Sequence, residues 1–284
     1  MIDPDDLHRN RVEKTLNLLN GLDQCPPETP IYRVFRLRYL LKMLRTGRNV
    51  LVKPGMWDDP FENIVFQKHS FVLDGKRVES SAYVRERFYG QCWTLNREET
   101  DALWRIYSPT KDGVRVTSTV GKLFDGFYRE YDWRAWASYF MGTVLYRNED
   151  EIVAFLKRGI SAVVLADNRW TASSLLMKRK EFAHENEVRL LYIEYRIGHA
   201  QRNSTYSYKI DTGKTFTEML FDPRMAAEDF QRYAARIRSL GYRGVVAQSK
   251  LYQVPSILVR VGKQWDAATY KASTEFTGRR ETTK

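Results

Sequence analysis

Two glutamates separated by one residue form the pair of side chains best suited to chemistry. Glu185 and Glu187 lie where a loop enters a predicted strand, Glu187 to Tyr195, and Arg189 follows two residues later. In an extended chain alternate residues share a face, so the two carboxylates and the guanidinium should lie together. Like charges this close are unfavourable unless a cation lies between them or a function requires them. Two interpretations stay open: an ion-paired edge strand or a catalytic acidic pair.

Two further clusters lie nearer the N-terminus. Arg33 follows Tyr32 in a predicted short strand, where the structural alternative is an edge-strand arginine in solvent. The segment Trp57-Asp58-Asp59-Pro60-Phe61-Glu62 is broken by proline yet carries two aromatic residues, which predicts an ordered loop. Its structural alternative is a turn in which Asp59 caps neighbouring backbone N–H groups.

A fourth cluster is aromatic. Trp93 belongs to a predicted strand, and Trp104 and Tyr107 share a predicted helix, Glu98 to Tyr107. Aromatic residues at helical spacing are most often part of a core. They could equally form the wall of a pocket for a planar ring.

Several familiar site motifs are missing or incomplete. Gly213-Lys214-Thr215 ends like a phosphate-binding P-loop, but Tyr208 stands where the first glycine is required. No G-x-G-x-x-G motif occurs, which argues against a Rossmann cofactor site. His184-Glu185 begins like a zinc-binding helix motif, but Val188 replaces the second histidine, so no metal site is predicted.

Composition predicts a folded protein with a polyanionic partner. The 284 residues include 46 Lys and Arg against 35 Asp and Glu, which gives a net charge of +11. Such a charge favours nucleic acid or an anionic membrane as a non-specific partner. The two cysteines, Cys25 and Cys92, have no paired spacing and indicate a reducing compartment. Without an apolar leader or an apolar run of roughly 18 residues, a cytoplasmic protein is expected, with no membrane partner.

The predicted elements mix without regular βαβ alternation, which favours an α+β fold with a mixed or antiparallel sheet core flanked by helices. Two helices are predicted over Asp150 to Arg158 and Ser161 to Lys178. The predicted organisation is an N-terminal helical appendage over residues 1–30, one catalytic-type α+β domain over 31–266, and a polar, flexible tail over 267–284.

The order of these clusters resembles the domain-of-unknown-function family numbered 2971. That family shows a Tyr-Arg strand, an Asn/Asp-Asp-Pro-Phe loop, a Trp-x-x-Tyr helix followed by Gly, and a Glu-x-Glu-x-Arg strand entry. This chain matches them with Tyr32-Arg33, Asp58-Asp59-Pro60-Phe61, Trp104-Arg105-Ile106-Tyr107 with Gly113, and Glu185-Asn186-Glu187-Val188-Arg189. The resemblance extends roughly from Ile31 to Lys250. The chain departs from the family at Asp58, where Asn is usual, and at Arg105-Ile106.

The motif layout of that family looks like that of ADP-ribosyltransferases, which implies an α+β fold of that type and NAD as a substrate. By this resemblance Glu187 is the catalytic carboxylate, and Glu185 activates the acceptor or supports Glu187. The residues implied to hold NAD are Arg33, Tyr107, Trp93, Trp104, Lys180 and Arg189. Cleavage of the nicotinamide–ribose bond resembles glycoside hydrolysis, in which a carboxylate stabilises positive charge.

The predicted acceptor is nucleic acid, with single-stranded RNA favoured. The basic segments Lys178-Arg179-Lys180 and Arg232 to Arg238 suit a phosphate backbone, and aromatic side chains suit base stacking. Similar transferases suggest a toxin of a toxin–antitoxin or phage-defence system, with an antitoxin docking on the N-terminal helix. Two alternatives stay open: a non-catalytic nucleotide- or nucleic-acid-binding module, and a metal-independent nuclease using Glu185, Glu187, Arg189 and His184.

Overall fold

The computed structural model describes residues 3–57, 70–73, 76–79, 86–164 and 168–255. The helices are α1 (Pro4–Glu13), α2 (Leu37–Thr46), α3 (Asp101–Tyr107), α4 (Val120–Phe127), α5 (Glu149–Val164), α6 (Asn168–Ser174), α7 (Ile197–Arg202), α8 (Thr212–Thr215) and α9 (Ala227–Ser239). The strands are β1 (Leu18–Leu19), β2 (Pro30–Arg36), β3 (Arg48–Val52), β4 (Ser70–Leu73), β5 (Lys76–Glu79), β6 (Phe88–Thr94), β7 (Gly113–Thr119), β8 (Tyr139–Thr143), β9 (Leu145–Arg147), β10 (Met177–Arg179), β11 (Glu187–Ile193), β12 (Thr205–Lys209), β13 (Glu218–Phe221) and β14 (Val245–Gln248). Short 3-10 helices cover Thr15–Asn17, Leu22–Gln24, Pro54–Met56, Ala135–Ala137 and Lys180–Glu185.

Ten of the described strands form one mixed sheet, whose main path has the order β1-β8-β11-β6-β2-β7-β13-β14. The other two strands branch from this path, since β3 pairs with β6 and β12 pairs antiparallel with β3. The pairs β1–β8 and β13–β14 are parallel, whereas β8–β11–β6–β2–β7–β13 are joined by antiparallel pairs. Two small sheets, parallel β9–β10 and antiparallel β4–β5, accompany it. The predicted α+β class with a mixed sheet and flanking helices is therefore confirmed.

The strand β6 is a branch point of the sheet. Along one edge it pairs with β11 over its full length, from Phe88 to Thr94. Along its other edge, Gly90 pairs with Val52 of β3, while Thr94 pairs with Tyr32 of β2. Between these two pairings the edge of β6 is not covered by a continuous ladder, and this is where the side chain of Arg33 enters.

The strand β11 is buried on both faces, and every one of its residues is classed as buried. On one face Val188, Leu190 and Tyr192 join the main core, which also contains Phe35 and Trp93. On the other face Leu191 and Ile193 pack with residues that follow α6, among them Leu175 and Leu176. A strand with two covered faces is normally an unbroken apolar run. The charged residues Glu187 and Arg189 at its start are therefore exceptional and need partners.

The N-terminal segment begins with the helix α1, whose cap Asp3 accepts a hydrogen bond from the backbone N–H of Asp5 at 2.8 Å. The helix ends at Glu13, and Leu18–Leu19 then forms an edge strand beside β8. The first compact unit extends to Leu251. The predicted boundary after residue 30 stays a prediction, and the predicted tail from residue 267 lies outside the described residues.

The second helix predicted in the middle of the chain is shorter than expected. In place of one helix over Ser161 to Lys178, α5 continues to Val164, α6 ends at Ser174, and Met177–Arg179 is a strand. This strand pairs with β9, so that Lys178 stands opposite Tyr146. Lys178 is thereby brought to the start of β11. No helix in the described ranges has the length and apolar character needed to cross a membrane.

Candidate active site

The sequence pattern suggested that the acidic pair lies in an extended strand. In the structure a turn holds the pair. Glu185 ends the 3-10 helix, Asn186 adopts a left-handed conformation with φ of 44°, and Glu187 begins β11. Asparagine tolerates this conformation better than most residues. The hydroxyl of Thr94 donates to the carbonyl of Glu185 at 2.6 Å, and the N–H of Leu95 donates to that of Asn186 at 2.9 Å. The turn is thus fixed to the end of β6.

Glu187 is buried and bound by two cations. The Nζ of Lys178 donates to its Oε1 at 2.7 Å, and the Nε of Arg189 donates to its Oε2 at 2.8 Å. A third bond joins Nη2 of Arg189 to Oε1 at 3.1 Å. The backbone N–H of Glu187 donates to the hydroxyl of Tyr146 at 2.9 Å. The carboxylate is therefore held in one orientation, which suits either a fixed catalytic charge or a structural ion pair.

Glu185 reaches the same cation from the solvent side. The Nζ of Lys178 lies 2.5 Å from an Oε2 oxygen of Glu185, and the side chain of Glu185 is 18 % exposed against 6 % for Glu187. Lys178 also lies 4.5 Å from the centroid of the Phe182 ring, which favours a cation. One ammonium group therefore bridges a buried carboxylate and an accessible one.

The pKa values of the two carboxyl groups move in opposite directions. Burial, together with a hydrogen bond to Glu187, raises the pKa of Glu185 to about 7, although Lys178 opposes this. Burial would also raise the pKa of Glu187, but the charge of Arg189 and hydrogen bonds from Glu185 and Arg189 hold it below its usual value. The physical picture is a proton on Glu185 that is donated to an ionised Glu187. Near neutral pH, Glu185 is the group that exchanges a proton.

Arg189 is completely buried, and its donors are committed within the protein. Besides Glu187 it donates from Nη1 to the carbonyl of Leu175 at 2.8 Å. Its guanidinium carbon lies 4.5 Å from the centroid of the Trp57 ring. A Cβ placed on Gly90 would come within 2.5 Å of Trp57, so only glycine leaves room for the indole. Arg189 lowers the pKa of Glu187 and has no exposed surface, and its contact with NAD stays a prediction.

Arg33 and Tyr107 lie on the other side of β6 from the acidic pair. Both Tyr32 and Glu187 stand opposite Thr94, so two strand spacings of about 4.8 Å place their Cα atoms about 10 Å apart. Arg33 donates from Nη1 to the carbonyl of Cys92, and its buried Nε has no hydrogen-bond partner among the described residues. Burial lowers the pKa of Arg33, and the neighbouring groups Cys92, Tyr107 and Glu187 oppose that shift.

Tyr107 ends α3 with 47 % of its surface exposed. Partial desolvation, followed by the negative charges of Glu185 and Glu187, raises its pKa to about 12. Because its pKa is raised, the phenol of Tyr107 stays a neutral hydrogen-bond donor at neutral pH. The contribution of Glu185 and Glu187 to that shift indicates that the two carboxyl groups are near it. The structure therefore brings together Glu185, Glu187, Arg33 and Tyr107 at one end of β6.

The family described as "Protein of unknown function (DUF2971)" has a model that matches residues 103–190. The predicted resemblance is confirmed over that stretch. It includes Trp104 to Tyr107 and Glu185 to Arg189, whereas Tyr32-Arg33 and the Asp58 to Phe61 loop lie outside it. Among curated proteins, none matches this chain.

Solved structures of a DarT from Thermus sp. 2.9 show a remote likeness. The complex with NAD+ aligns at 11 % identity and a TM-score of 0.38, over 79 % of this chain and 97 % of the other. The complex with ADP-ribosylated ssDNA aligns at 12 % identity and a TM-score of 0.36, over 79 % and 96 %. At such low identity and TM-score, the likeness assigns no role to an individual residue of this chain.

Of the predicted cofactor-binding residues, Trp93 and Trp104 are buried, and Lys180 is exposed and paired with Glu151. Trp93 is 2 % exposed and packs against Phe35 at 6.0 Å between ring centroids. Trp104 has no exposed surface and donates its indole N–H to Glu99 at 3.0 Å. An indole enclosed on all sides has no face left for a nicotinamide ring. Lys180 is 58 % exposed, and its Nζ lies 3.6 Å from an Oε2 oxygen of Glu151.

Lys178 is the cation that bridges Glu185 and Glu187. The sequence pattern had placed it at the end of a predicted helix. Met177, Lys178 and Arg179 do not alternate in polarity, so no local pattern predicts a strand there. Tyr146 was missed for the same reason, because a long-range contact brings it to Glu187, and Trp57 was named only as the first residue of a predicted loop. The predicted Asp58-Asp59-Pro60-Phe61 loop lies outside the described residues. No cluster of three or more metal-binding side chains occurs in the part of the chain that the structure describes.

Proposed function

We propose that this chain is an NAD-dependent ADP-ribosyltransferase that modifies a single-stranded nucleic acid. The observation that carries the proposal is the Glu185–Lys178–Glu187 bridge, in which one carboxylate is fixed and ionised while its neighbour titrates near pH 7. Pairs of carboxyl groups whose pKa values are driven apart are typical of acid–base catalysis. Arg33 and Tyr107 beside this pair supply a positive charge and an accessible ring.

In this function NAD supplies a ribose whose C1′ is activated by a cationic leaving group. The C1′–nitrogen bond breaks with its electron pair retained by nicotinamide, which leaves as a neutral molecule. The acceptor's lone pair forms the new bond to C1′, and the acceptor's proton passes to the carboxylate of Glu185. Glu187 contributes a fixed negative charge beside the positive charge that develops on the ribose.

Two residues suit the binding of NAD. The guanidinium of Arg33 still has a donor without a protein partner, and a guanidinium forks well onto phosphate oxygens. Tyr107 offers a half-exposed ring against which a planar base can pack. Arg189, Lys178 and the two buried indoles act on the shape and charge of the site. The toxin role, an antitoxin partner and the preference for RNA stay predictions.

The test is transfer of label from NAD to RNA, to single-stranded DNA and to protein, with each acceptor incubated separately. Wild-type protein is compared with Glu187→Gln and with Glu181→Gln, a matched exposed carboxylate on the same 3-10 helix. We expect label on one polymer, a loss of at least a hundredfold with Glu187→Gln, and wild-type transfer with Glu181→Gln. Intact NAD with every acceptor would refute the proposed activity. Label on protein alone would refute nucleic acid as the acceptor.

A non-catalytic nucleotide-binding module is the second candidate. It is favoured by the burial of Glu187 and by its three bonds to Lys178 and Arg189, which leave little of the carboxylate for a substrate. Under that candidate NAD or another nucleotide binds, no label is transferred by any variant, and Glu187→Gln lowers stability while nucleotide binding is retained. Calorimetric titration with NAD, run beside the transfer assay, separates the two candidates.

A further inference from the structure

A basic surface lies along α2 and α9, and it includes part of the segment Arg232 to Arg238 that the sequence predicts to bind a phosphate backbone. We define the α2–α9 face by six side chains: Arg38, Lys42, Arg45, Arg48, Arg232 and Arg236. All six are exposed. A groove of about 560 Å³ separates the two helices and is lined by Leu41 from α2 and by Arg232, Tyr233 and Arg236 from α9.

Helical spacing gathers these charges onto one side of each helix. On α2, residues 38, 42 and 45 follow the i, i+4, i+7 pattern and share a face with Leu41, which lines the groove. Leu37, Leu40 and Met43 occupy the opposite, buried face. On α9, residues 232 and 236 are one turn apart, on the groove side, while Ile237 is buried. The basic side chains therefore point outward together.

The charge of this face is only weakly compensated. The helix α2 contains no acidic residue. Arg232 is paired with Asp229 at 2.5 Å, whereas Arg38, Lys42, Arg45 and Arg236 have no ion pair with a described residue. Beyond the end of α2 the positive surface continues into a second groove of about 600 Å³, lined by Arg48, Arg129 and Lys209 with Asp211. A row of cations of which most have no ion pair with a described residue matches a chain of phosphates.

Aromatic rings accompany the charges. Tyr39 is 54 % exposed and lies 4.6 Å from the guanidinium of Arg38, measured to the ring centroid. Tyr233 lines the first groove and lies 4.8 Å from the guanidinium of Arg232. Proteins that bind single strands combine a positive groove with aromatic rings on which bases stack. Both a membrane surface and a nucleic acid would match the charge, but only the nucleic acid brings planar bases that can stack on these rings.

We propose that the α2–α9 face is the docking surface for the sugar–phosphate backbone of a single-stranded nucleic acid. The identity of that polymer as the acceptor rests on the proposed function; its binding does not. The helix α2 begins four residues after Arg33, so its first turn is on the order of 13 Å along the chain from that residue. Tyr32, near the start of β2, is the residue level with Glu187, so this first turn lies beyond the opposite end of β2 and docking there does not depend on the acidic pair.

The test measures binding of a fluorescein-labelled single-stranded oligonucleotide, as DNA and as RNA, by anisotropy at several salt concentrations and without NAD. The test variant combines Lys42→Gln, Arg45→Gln and Arg236→Gln. The control combines Lys122→Gln, Lys157→Gln and Arg158→Gln, which remove the same charge from exposed positions elsewhere. Each phosphate contact adds about 0.7 to the slope of log affinity against log salt. Loss of three contacts should weaken binding about a hundredfold in 0.1 M salt and lower the slope by about 2.

Equal losses of oligonucleotide affinity in the two triple variants would overturn the proposal, because the lower net charge alone would then explain the weaker binding. Tighter binding to vesicles containing phosphatidylserine than to either oligonucleotide would also overturn it, in favour of a membrane. A selective loss with DNA or with RNA supports docking and names the polymer. Unchanged thermal unfolding by circular dichroism shows that the variants are folded. Since NAD is absent, failure of transferase activity and failure of docking are observed separately.

Discussion

Replacement of Lys178 by methionine tests whether one buried ammonium holds the acidic pair together. Methionine keeps most of the side chain's volume but removes its charge and its donors. Lys178 is 7 % exposed in its side chain and lies 2.5 Å from Glu185 and 2.7 Å from Glu187. Removal of one partner from a buried ion pair costs about 3 to 5 kcal/mol. Glu187 keeps Arg189, so we expect about 3 kcal/mol at pH 8.

The loss of unfolding free energy in Lys178→Met should depend on pH. The direction of that dependence follows from the titration of Glu185. The pKa of Glu185 is raised to about 7, mainly by burial. Without Lys178 that pKa rises further above its unfolded value. A group with a raised folded pKa contributes stability at low pH that is lost as pH rises through the folded pKa. Between pH 6 and pH 8 the variant should lose about 1 to 1.5 kcal/mol more than the wild type, since one unit of pKa is about 1.4 kcal/mol.

Urea denaturation followed by tryptophan fluorescence at pH 6 and pH 8 measures both quantities. Lys180→Met is the matched control, because Lys180 is 58 % exposed and two residues away. The control should unfold as the wild type does at both pH values. An equal loss for Lys178→Met at the two pH values would refute the coupling of Lys178 to Glu185. A loss as large in the control would refute the assignment of the bridge to Lys178.

Two further outcomes follow from the site. The proposed activity should rise with pH through about 7 as Glu185 loses its proton and becomes the base, and Glu185→Gln should remove that limb; a limb that persists in a pH–rate profile of the variant belongs to another group. Gly90→Ala should destabilise the protein by about 1 to 3 kcal/mol, because the new Cβ meets Trp57 at 2.5 Å. Gly55→Ala, with no atom within 4 Å of its added Cβ, is the control in the same denaturation experiment.

Local patterns were sufficient to predict the acidic pair and its arginine. Residues two apart at a strand entry are close in almost any backbone, so Glu185 and Glu187 meet although a left-handed Asn186 joins them. Arg189 lies one strand repeat further and shares the face of Glu187, as the period of a strand requires. The α+β class followed from element order alone. These features depend on contacts that are short in sequence.

The bridging role of Lys178 could not be predicted, because it depends on pairing between two strands that are distant in sequence, β9 and β10. Lys178 reaches Glu187 because β10 pairs with β9, which places Lys178 opposite Tyr146. The pattern from Ser161 onward is helical, and nothing local indicates the break after Ser174. The burial of Trp93 and Trp104 could not be predicted for the converse reason. Their residue type suits a core and a ligand pocket equally, and only packing distinguishes the two.

The placement of Arg189 explains how one turn can hold two carboxyl groups in different protonation states. A single cation between Glu185 and Glu187 would be shared, and the two groups would titrate as near equals. Of the two carboxylates, Glu187 is the one to which Arg189 donates hydrogen bonds, which breaks this symmetry and favours ionisation there. Burial and a hydrogen bond to Glu187 retain the proton on Glu185, and repulsion from that fixed charge adds to both. The accessible group becomes the one that exchanges protons, and the fixed charge stays where a substrate's positive charge could develop.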